Sequence, residues 1–283
     1  MDFKTLFSDF TCDSVDKMTS VFQRIKPIII DSLTDFLLLN RKGPAGRPIK
    51  TDFNRFMDAL YFIVESGAQF KYVKQYGIPK TTFYRYLKIL SDNKIIEQVY
   101  YQLIHVKDQY VPKITDTMTI KSMRGSVGLG RNPTDRGRKG LKISLICDLD
   151  RIATCVHVDA CNIHDTKMLV RTLEKYKSPN TMVDCLCDAG YVGQTLNKYC
   201  ETKNYHLIVK PRKTRNKLRK THVISEIDAD HLKKFRNRIE LLNQNIRRYR
   251  ALMIKWVQNV SIYQCFLFLA LLCISSYQII TTK

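Results

Sequence analysis

Hydrophobic and polar positions change their period twice along this chain. From Thr51 onward, Phe53, Phe56, Met57, Leu60, Ile63 and Val64 recur in steps of three and four, the spacing of an amphipathic helix that Gly67 ends. A short second helix is expected over 68–76. Gly77-Ile78-Pro79 then makes a turn into a third helix that buries Phe83, Tyr86, Leu87 and Leu90. The outward face of this helix carries Lys80, Thr81, Tyr84, Arg85 and Lys88. The layout is that of a helix-turn-helix, whose later helix lies in a DNA major groove. An ordinary three-helix bundle would show the same pattern.

After residue 110 the period falls to two. Ile114, Asp116, Met118 and Ile120 alternate along a first strand, and strands over 141–147 and 152–159 form a hairpin about the turn 148–151. A helix after His164, a strand over 182–188 ending at Ala189-Gly190, another helix and a fifth strand over 206–210 follow. Three strands, helix, strand, helix, strand predicts an α/β fold, a ribonuclease-H-like mixed sheet flanked by helices and preceded by an all-α helix-turn-helix domain. From Leu232 through Phe235, Ile239, Leu242, Ile246, Tyr249 and Met253 to Trp256 the helical period returns and predicts one long helix.

The two ends are less periodic. Residues 1–40 are expected to be an N-terminal helical segment, with Pro27 limiting any helix across it, and the Gly- and Pro-rich stretch Arg41 to Pro48 a linker or DNA-contacting arm. The uncharged segment Val260 to Ile280 is nearly long enough to span a bilayer, but Gln264, Ser275, Ser276 and Gln278 interrupt it, so a buried core helix is expected and no membrane partner. The expected domains are 1–40, a helix-turn-helix domain with linker at 41–110, and a catalytic domain at 111–283.

Charge narrows the choice of partner. The chain carries 47 Lys and Arg against 26 Asp and Glu, a net charge of +21, which favours a polyanion such as nucleic acid. Seven cations fall in the eleven residues 210–220, among them Lys210 and Arg212; they suit a phosphate-binding loop, and equally a solvated loop or a nuclear localisation signal. Nine cysteines without paired CxxC spacing indicate neither a disulfide framework nor a zinc site. The acidic start, with Asp2, Asp9, Asp13 and Asp16, is unlike a signal peptide. An intracellular setting is expected, cytoplasm or nucleoid in a prokaryote and nucleus in a eukaryotic or viral context.

Three acidic positions stand where a ribonuclease-H-like fold can gather them: Asp116 in the first strand, Asp188 at the end of the fourth, and Glu240 on the long helix. At 100° per residue, Arg236, Glu240, Asn243 and Arg247 fall within about 60° of one another. A helical ion pair between Arg236 and Glu240 would explain part of this by itself. Gathered carboxylates repel one another unless divalent cations neutralise them, and Mg²⁺ or Mn²⁺ suits an all-oxygen site. Two such ions could serve both cleavage of a phosphodiester and its transfer to a new strand. Asp148, Asp150, Asp159, Asp165 and Asp184 are rival ligands, Asp184 the strongest, and His164 suits a hydrogen-bonded structural residue before a helix at least as well as a residue that contacts DNA or shapes the site.

Several segments taken in order resemble a known family. They are Gly46-Arg47-Pro48, Ile114-Thr115-Asp116-Thr117, Asp135-Arg136-Gly137-Arg138-Lys139-Gly140, Asn162-Ile163-His164-Asp165, Cys187-Asp188-Ala189-Gly190-Tyr191, and Arg236-Asn237-Arg238-Ile239-Glu240 with Arg247. In these the chain, from about Arg41 to Trp256, resembles the insertion-sequence-five-type DDE transposases and, more distantly, the Harbinger-type elements. The resemblance implies Asp116, Asp188 and Glu240 as the catalytic, metal-binding triad. It implies Arg236 and Arg247 as residues that orient Glu240 or hold DNA, with Arg136, Arg138 and Lys139 as further DNA contacts. It also implies double-stranded DNA, transposon ends and target, as partner, and a homodimer or higher oligomer on that DNA. Lys233 stands where the family signature usually has Tyr, and Arg247 where it has Lys. The alternative is a transposase-derived DNA-binding protein without catalytic activity.

Overall fold

The computed structural model describes residues 17–40, 50–104, 112–209 and 225–281, and these fall into two compact units. The expected sites Lys210 and Arg212 lie outside the described residues.

The first unit is helical and draws on 1–107, 123–127 and 246–283. Its helices in chain order are α1 (Lys17–Leu39), α2 (Phe53–Ser66), α3 (Lys80–Asp92) and α4 (Ile95–Ile104). Helix α1 runs straight through Pro27, against expectation. Val21, Phe22, Ile25, Ile29 and Leu33 form its buried stripe while Gln23 and Pro27 face water, so the carbonyl that Pro27 leaves without an amide donor can be hydrated. Helix α2 starts where the Asp52 carboxylate accepts from the Asn54 and Arg55 amides, at 2.9 and 3.2 Å, and ends at Gly67, whose φ of 69° an L side chain would resist. The expected second helix is a 3-10 helix over Phe70–Tyr76. Phe53, Phe56, Phe83 and Tyr86 join α2 to α3 through ring contacts. Helix α4, whose buried face includes Ile95, Ile96, Val99 and Tyr100, was not legible in the sequence pattern.

The second unit draws on 108–122 and 128–245 and holds the sheet. Its elements are β1 (Lys113–Ser122), β2 (Lys139–Cys147), β3 (Ala153–Ala160), α5 (Asp165–Lys175), β4 (Val183–Cys187), α6 (Gln194–Thr202), β5 (Tyr205–Val209), α7 (Glu226–Phe235) and α8 (Asn237–Arg248). The strands lie in the order β3-β2-β1-β4-β5. Strands β1, β2 and β3 are antiparallel neighbours, while β4 and β5 run parallel to β1. This is the mixed, helix-flanked sheet of the ribonuclease-H-like class. Helices α5 and α6 cover one face, burying Ile146, Leu169, Leu173, Cys185, Cys187, Leu196 and Leu207.

The long helix expected from Leu232 to Trp256 is interrupted. Arg236, still in right-handed helical geometry, separates α7 from α8, and extended backbone at Tyr249 ends α8. A single turn, Arg250–Met253, leads into extended backbone at Ile254–Lys255, and Trp256 stands exposed. The buried stripe ends at Leu252 because Lys255 is drawn inside, its ammonium donating to the carbonyls of Arg124, Val257 and Gln258 at 2.8, 2.7 and 3.1 Å.

The last helix, α9 (Val260–Thr281), is long and apolar enough to cross a membrane by length and composition. In the fold it is buried from Cys265 to Ser276 and packs on α1, α3 and α4, with Tyr100 and Ser275 in hydrogen-bond contact at 3.3 Å. A helix apolar all round is one enclosed on all sides. This packing places 246–283 with the helical unit, a division that differs from a single 111–283 block.

Candidate active site

Strand pairing brings Asp116 and Asp188 together. Strand β1 pairs with β4 in parallel at Lys113↔Cys185 and Ile114↔Leu186, and the same register carried two residues further sets Asp116 beside Asp188. Neighbours at one level of a parallel sheet project to the same face, with strands about 4.8 Å apart. By the alternation of β4, that face is opposite the one where Cys185 and Cys187 meet α5 and α6.

Helix α8 and Arg236 just before it supply the rest. Asn243 donates from Nδ2 to Asp116 Oδ2 at 3.1 Å, and the Thr117 amide donates to Asp116 Oδ1 at 2.8 Å. The Arg236 guanidinium lies 3.3 Å from Asp188 Oδ2 and 4.0 Å from Glu240 Oε1. Asp188 caps the 3-10 turn Ala189–Tyr191 by accepting from the Ala189 amide at 2.6 Å. The pKa of Asp116 is raised, first by burial and also by the negative charge of Asp188 and Asp165; the Thr117 amide and Arg236 oppose the rise. Arg236 thus links Asp188 to Glu240, while Asn243 holds Asp116, which feels the charges of Arg236 and Asp188. Arg247 is exposed in the last turn of α8, about 10 Å along the helix axis from Glu240.

The rival carboxylates are engaged elsewhere. Asp184 meets His206 across β4 and β5 at 3.0 Å, and Asp159 pairs with Arg171. Asp148 holds its own turn by accepting from the Ile152 amide at 2.9 Å. Asp165 accepts from Thr117 Oγ1 and from Lys142 Nζ, both at 2.8 Å, and Lys142 also donates to the Ile163 carbonyl at 2.6 Å. Thr117 and Lys142 point to the α5 side, so Asp165 supports β1 from beneath the Asp116 face. Burial would raise its pKa, but the hydrogen bonds from Lys142 and Thr117 and the charge of Lys142 together lower it. His164 caps α5, its Nδ1 accepting from the Thr166 amide at 3.3 Å.

Sequence reasoning missed the part played by Asn243, Thr117 and Lys142. Asn243 could have been found, because it shares the helical strip with Arg236 and Glu240. Lys142 and Thr117 carry no local signal.

The expected DNA contacts sit on two surfaces. Lys80, Thr81, Tyr84, Arg85 and Lys88 are all exposed on α3. Arg136, Arg138 and Lys139 are exposed at the turn before β2, where Arg136 and Gly137 take φ of 49° and 70° and Arg138 lies 3.7 Å from Asp135.

The sequence model of the transposase DDE domain matches residues 114–274, more than half of the chain. The chain belongs to the DDE transposase family. Among solved structures, this DDE transposase is similar to the piggyBac transposase in its synaptic complex with hairpin DNA, at a TM-score of 0.53 and 11% identity over 99% of this chain and 74% of that one. At that identity the likeness shows the fold. The Mos1 strand transfer complex (TM-score 0.23, 11% identity, 70% of this chain and 78% of that one) and the Mos1 paired-end complex (0.24, 12%, 89% and 92%) are weaker neighbours. No curated protein matches the sequence. DDE transposases are enzymes of DNA cleavage and strand transfer, and as a family they use divalent metal ions.

The donor chemistry here is the kind such ions take. Asp116, Asp188 and Glu240 offer oxygen alone, the charge of Asp188 reaches Asp116, and Asn243 Oδ1 is buried without a hydrogen-bond partner. Among the described residues no group of three or more His, Cys, Asp or Glu is arranged to hold a metal ion. The guanidinium of Arg236 stands between Asp188 and Glu240 and supplies the positive charge there.

Proposed function

We propose that this DDE transposase cuts DNA at the ends of its element and joins them to a target, using Asp116, Asp188 and Glu240 to hold two divalent ions, Mg²⁺ or Mn²⁺. The observation that supports this reading is the placing of Asp116 on β1 and Asp188 just past the end of the adjacent parallel strand β4, near enough for their charges to interact, with Asn243 bonded to Asp116 and Arg236 to Asp188 and Glu240. When bound, the ions would lower the pKa of an attacking water or 3′-hydroxyl and stabilise the departing oxygen.

The protein's own groups prepare the site. The Thr117 amide and Asn243 fix both oxygens of Asp116, so that its rotamer is set before substrate arrives. Asp165, held by Lys142, ties Thr117 in place from the other side of the sheet. Arg236 keeps two carboxylates from repelling each other and, released from them, can take a DNA phosphate in bidentate fashion. Helix α3 presents Lys80, Thr81, Tyr84, Arg85 and Lys88 to the duplex, and Arg136, Arg138 and Lys139 add phosphate contacts near the sheet. Joining two ends at one target calls for two copies of the site, hence a homodimer or larger assembly on DNA.

The deciding experiment is nicking of DNA that carries the element's flanking ends, with Mg²⁺ or Mn²⁺, comparing wild type with Asp188→Asn and Glu240→Gln. Wild type should cut while both variants bind and do not cut. Binding without metal-dependent cutting by the wild type would refute the reading and leave a DNA-binding descendant.

A further inference from the structure

We infer that a groove beside the start of α3, within the helical unit, takes an unpaired DNA strand and stacks a base on Trp256. The groove offers about 1020 Å³, just above the range for small-ligand sites, roughly 300–1,000 Å³. Phe70, Tyr84 and Trp256 give it aromatic walls, Lys71, Lys80 and Arg124 give it positive charge, and its lining contains no Asp or Glu. Trp256 is 54% exposed and Tyr84 39%, so two large π-faces stand in water.

The chemistry of the lining selects the occupant. Cations without acidic neighbours, on a chain of net charge +21, favour a polyanion over a peptide or an apolar ligand. Aromatic faces add affinity only where a base offers its own π-face, and in a duplex those faces are covered by the neighbouring pairs. An aromatic, cationic groove therefore discriminates for a single strand; Lys80 and Tyr84 border both surfaces, whereas Thr81, Arg85 and Lys88 lie outside the groove lining and suit duplex. That DNA is handled at all rests on the function proposed above.

The groove is held ready. Lys255, fully buried, ties the Arg124 carbonyl to those of Val257 and Gln258, fixing the segments that carry Arg124 and Trp256 against each other. Gly125 permits that approach: at its φ of 84° a Cβ would stand 2.4 Å from the Gln258 carbonyl oxygen. Pre-set geometry of this kind limits the ordering that binding would otherwise require.

Trp256 is the only tryptophan in the chain, so its emission reports on this groove alone. The test titrates the full-length protein, without metal, with a single-stranded oligonucleotide and with a duplex of the same sequence. The single strand should quench Trp256 saturably and the duplex should not. Measured by anisotropy of labelled DNA, Trp256→Leu should weaken single-strand binding about tenfold, the scale of one stacked base. Trp256→Phe should keep most of that affinity, Lys71→Glu should lower it, and duplex affinity of Trp256→Leu should be unchanged. With three cations engaged, the log–log salt slope for the single strand should be about −2. Equal quenching by duplex, single-strand affinity of Trp256→Leu within about twofold of wild type on that scale, or no single-strand binding would overturn the assignment. Loss of metal-dependent nicking with single-strand quenching intact would defeat the proposed catalysis and leave the groove standing; intact nicking without quenching would do the reverse.

Discussion

Replacing Lys142 with Met should loosen the underside of the active site, and the cost can be worked from its contacts. The ammonium of Lys142 is nearly enclosed and makes two short hydrogen bonds, to the Ile163 carbonyl at 2.6 Å and to the Asp165 carboxylate at 2.8 Å. Methionine fills similar space but strands the carboxylate. Breaking a buried pair costs about 3–5 kcal/mol. The Asp165 side chain is 36% exposed, so water recovers part of its solvation, and about 2 kcal/mol remains. For a unit of this size that is a fall in Tm of roughly 4–8 °C. The folded pKa of Asp165 lies below its ordinary value, so the stability it contributes is present above the unfolded carboxylate pKa and lost as pH falls through the folded one. The gap between wild type and Lys142→Met should therefore be level from about pH 7 to 5 and narrow below about pH 4. Urea unfolding at several pH values measures both, and a cycle with Asp165→Asn isolates the pair. A gap under about 0.5 kcal/mol at pH 7, or one that widens in acid, would refute this account.

Other expectations follow from single contacts. Lys255→Met takes the shared donor from three partly buried carbonyls and should destabilise the helical unit by about 2 kcal/mol, read by thermal unfolding. Asp52→Ala removes the acceptor for two amides at the start of α2 and should cost about 1 kcal/mol, measured by urea unfolding. A chelator should abolish nicking and leave duplex affinity within about twofold in a gel-shift assay, because the α3 contacts require no ion. A chelator-resistant nuclease would contradict the carboxylate site.

What could be read from the chain was local periodicity and its punctuation. The steps of three and four at Phe53–Val64 and Phe83–Leu90, and the alternation through Asp116, stated helix and strand because a residue's face follows from neighbours a few positions away. The same local geometry put Glu240 and Asn243 on one strip of α8, with Arg236, just before it, one turn away. Patterning failed where distant packing outweighed it: α1 tolerates Pro27 because that face meets water, and the stripe after Leu252 ends because Lys255 is drawn inside. Only the tertiary structure could bring Asp116 near Asp188, since parallel register is decided by how separate segments pair. It alone could place Lys142 against Asp165, and Asn243 against Asp116, across segments that share no local pattern. The sequence by itself determined which side chains were available for chemistry and on which face of each element they lay. Which of those faces meet was decided by long-range strand pairing and helix packing, whose energy comes from burial that no short window of sequence contains.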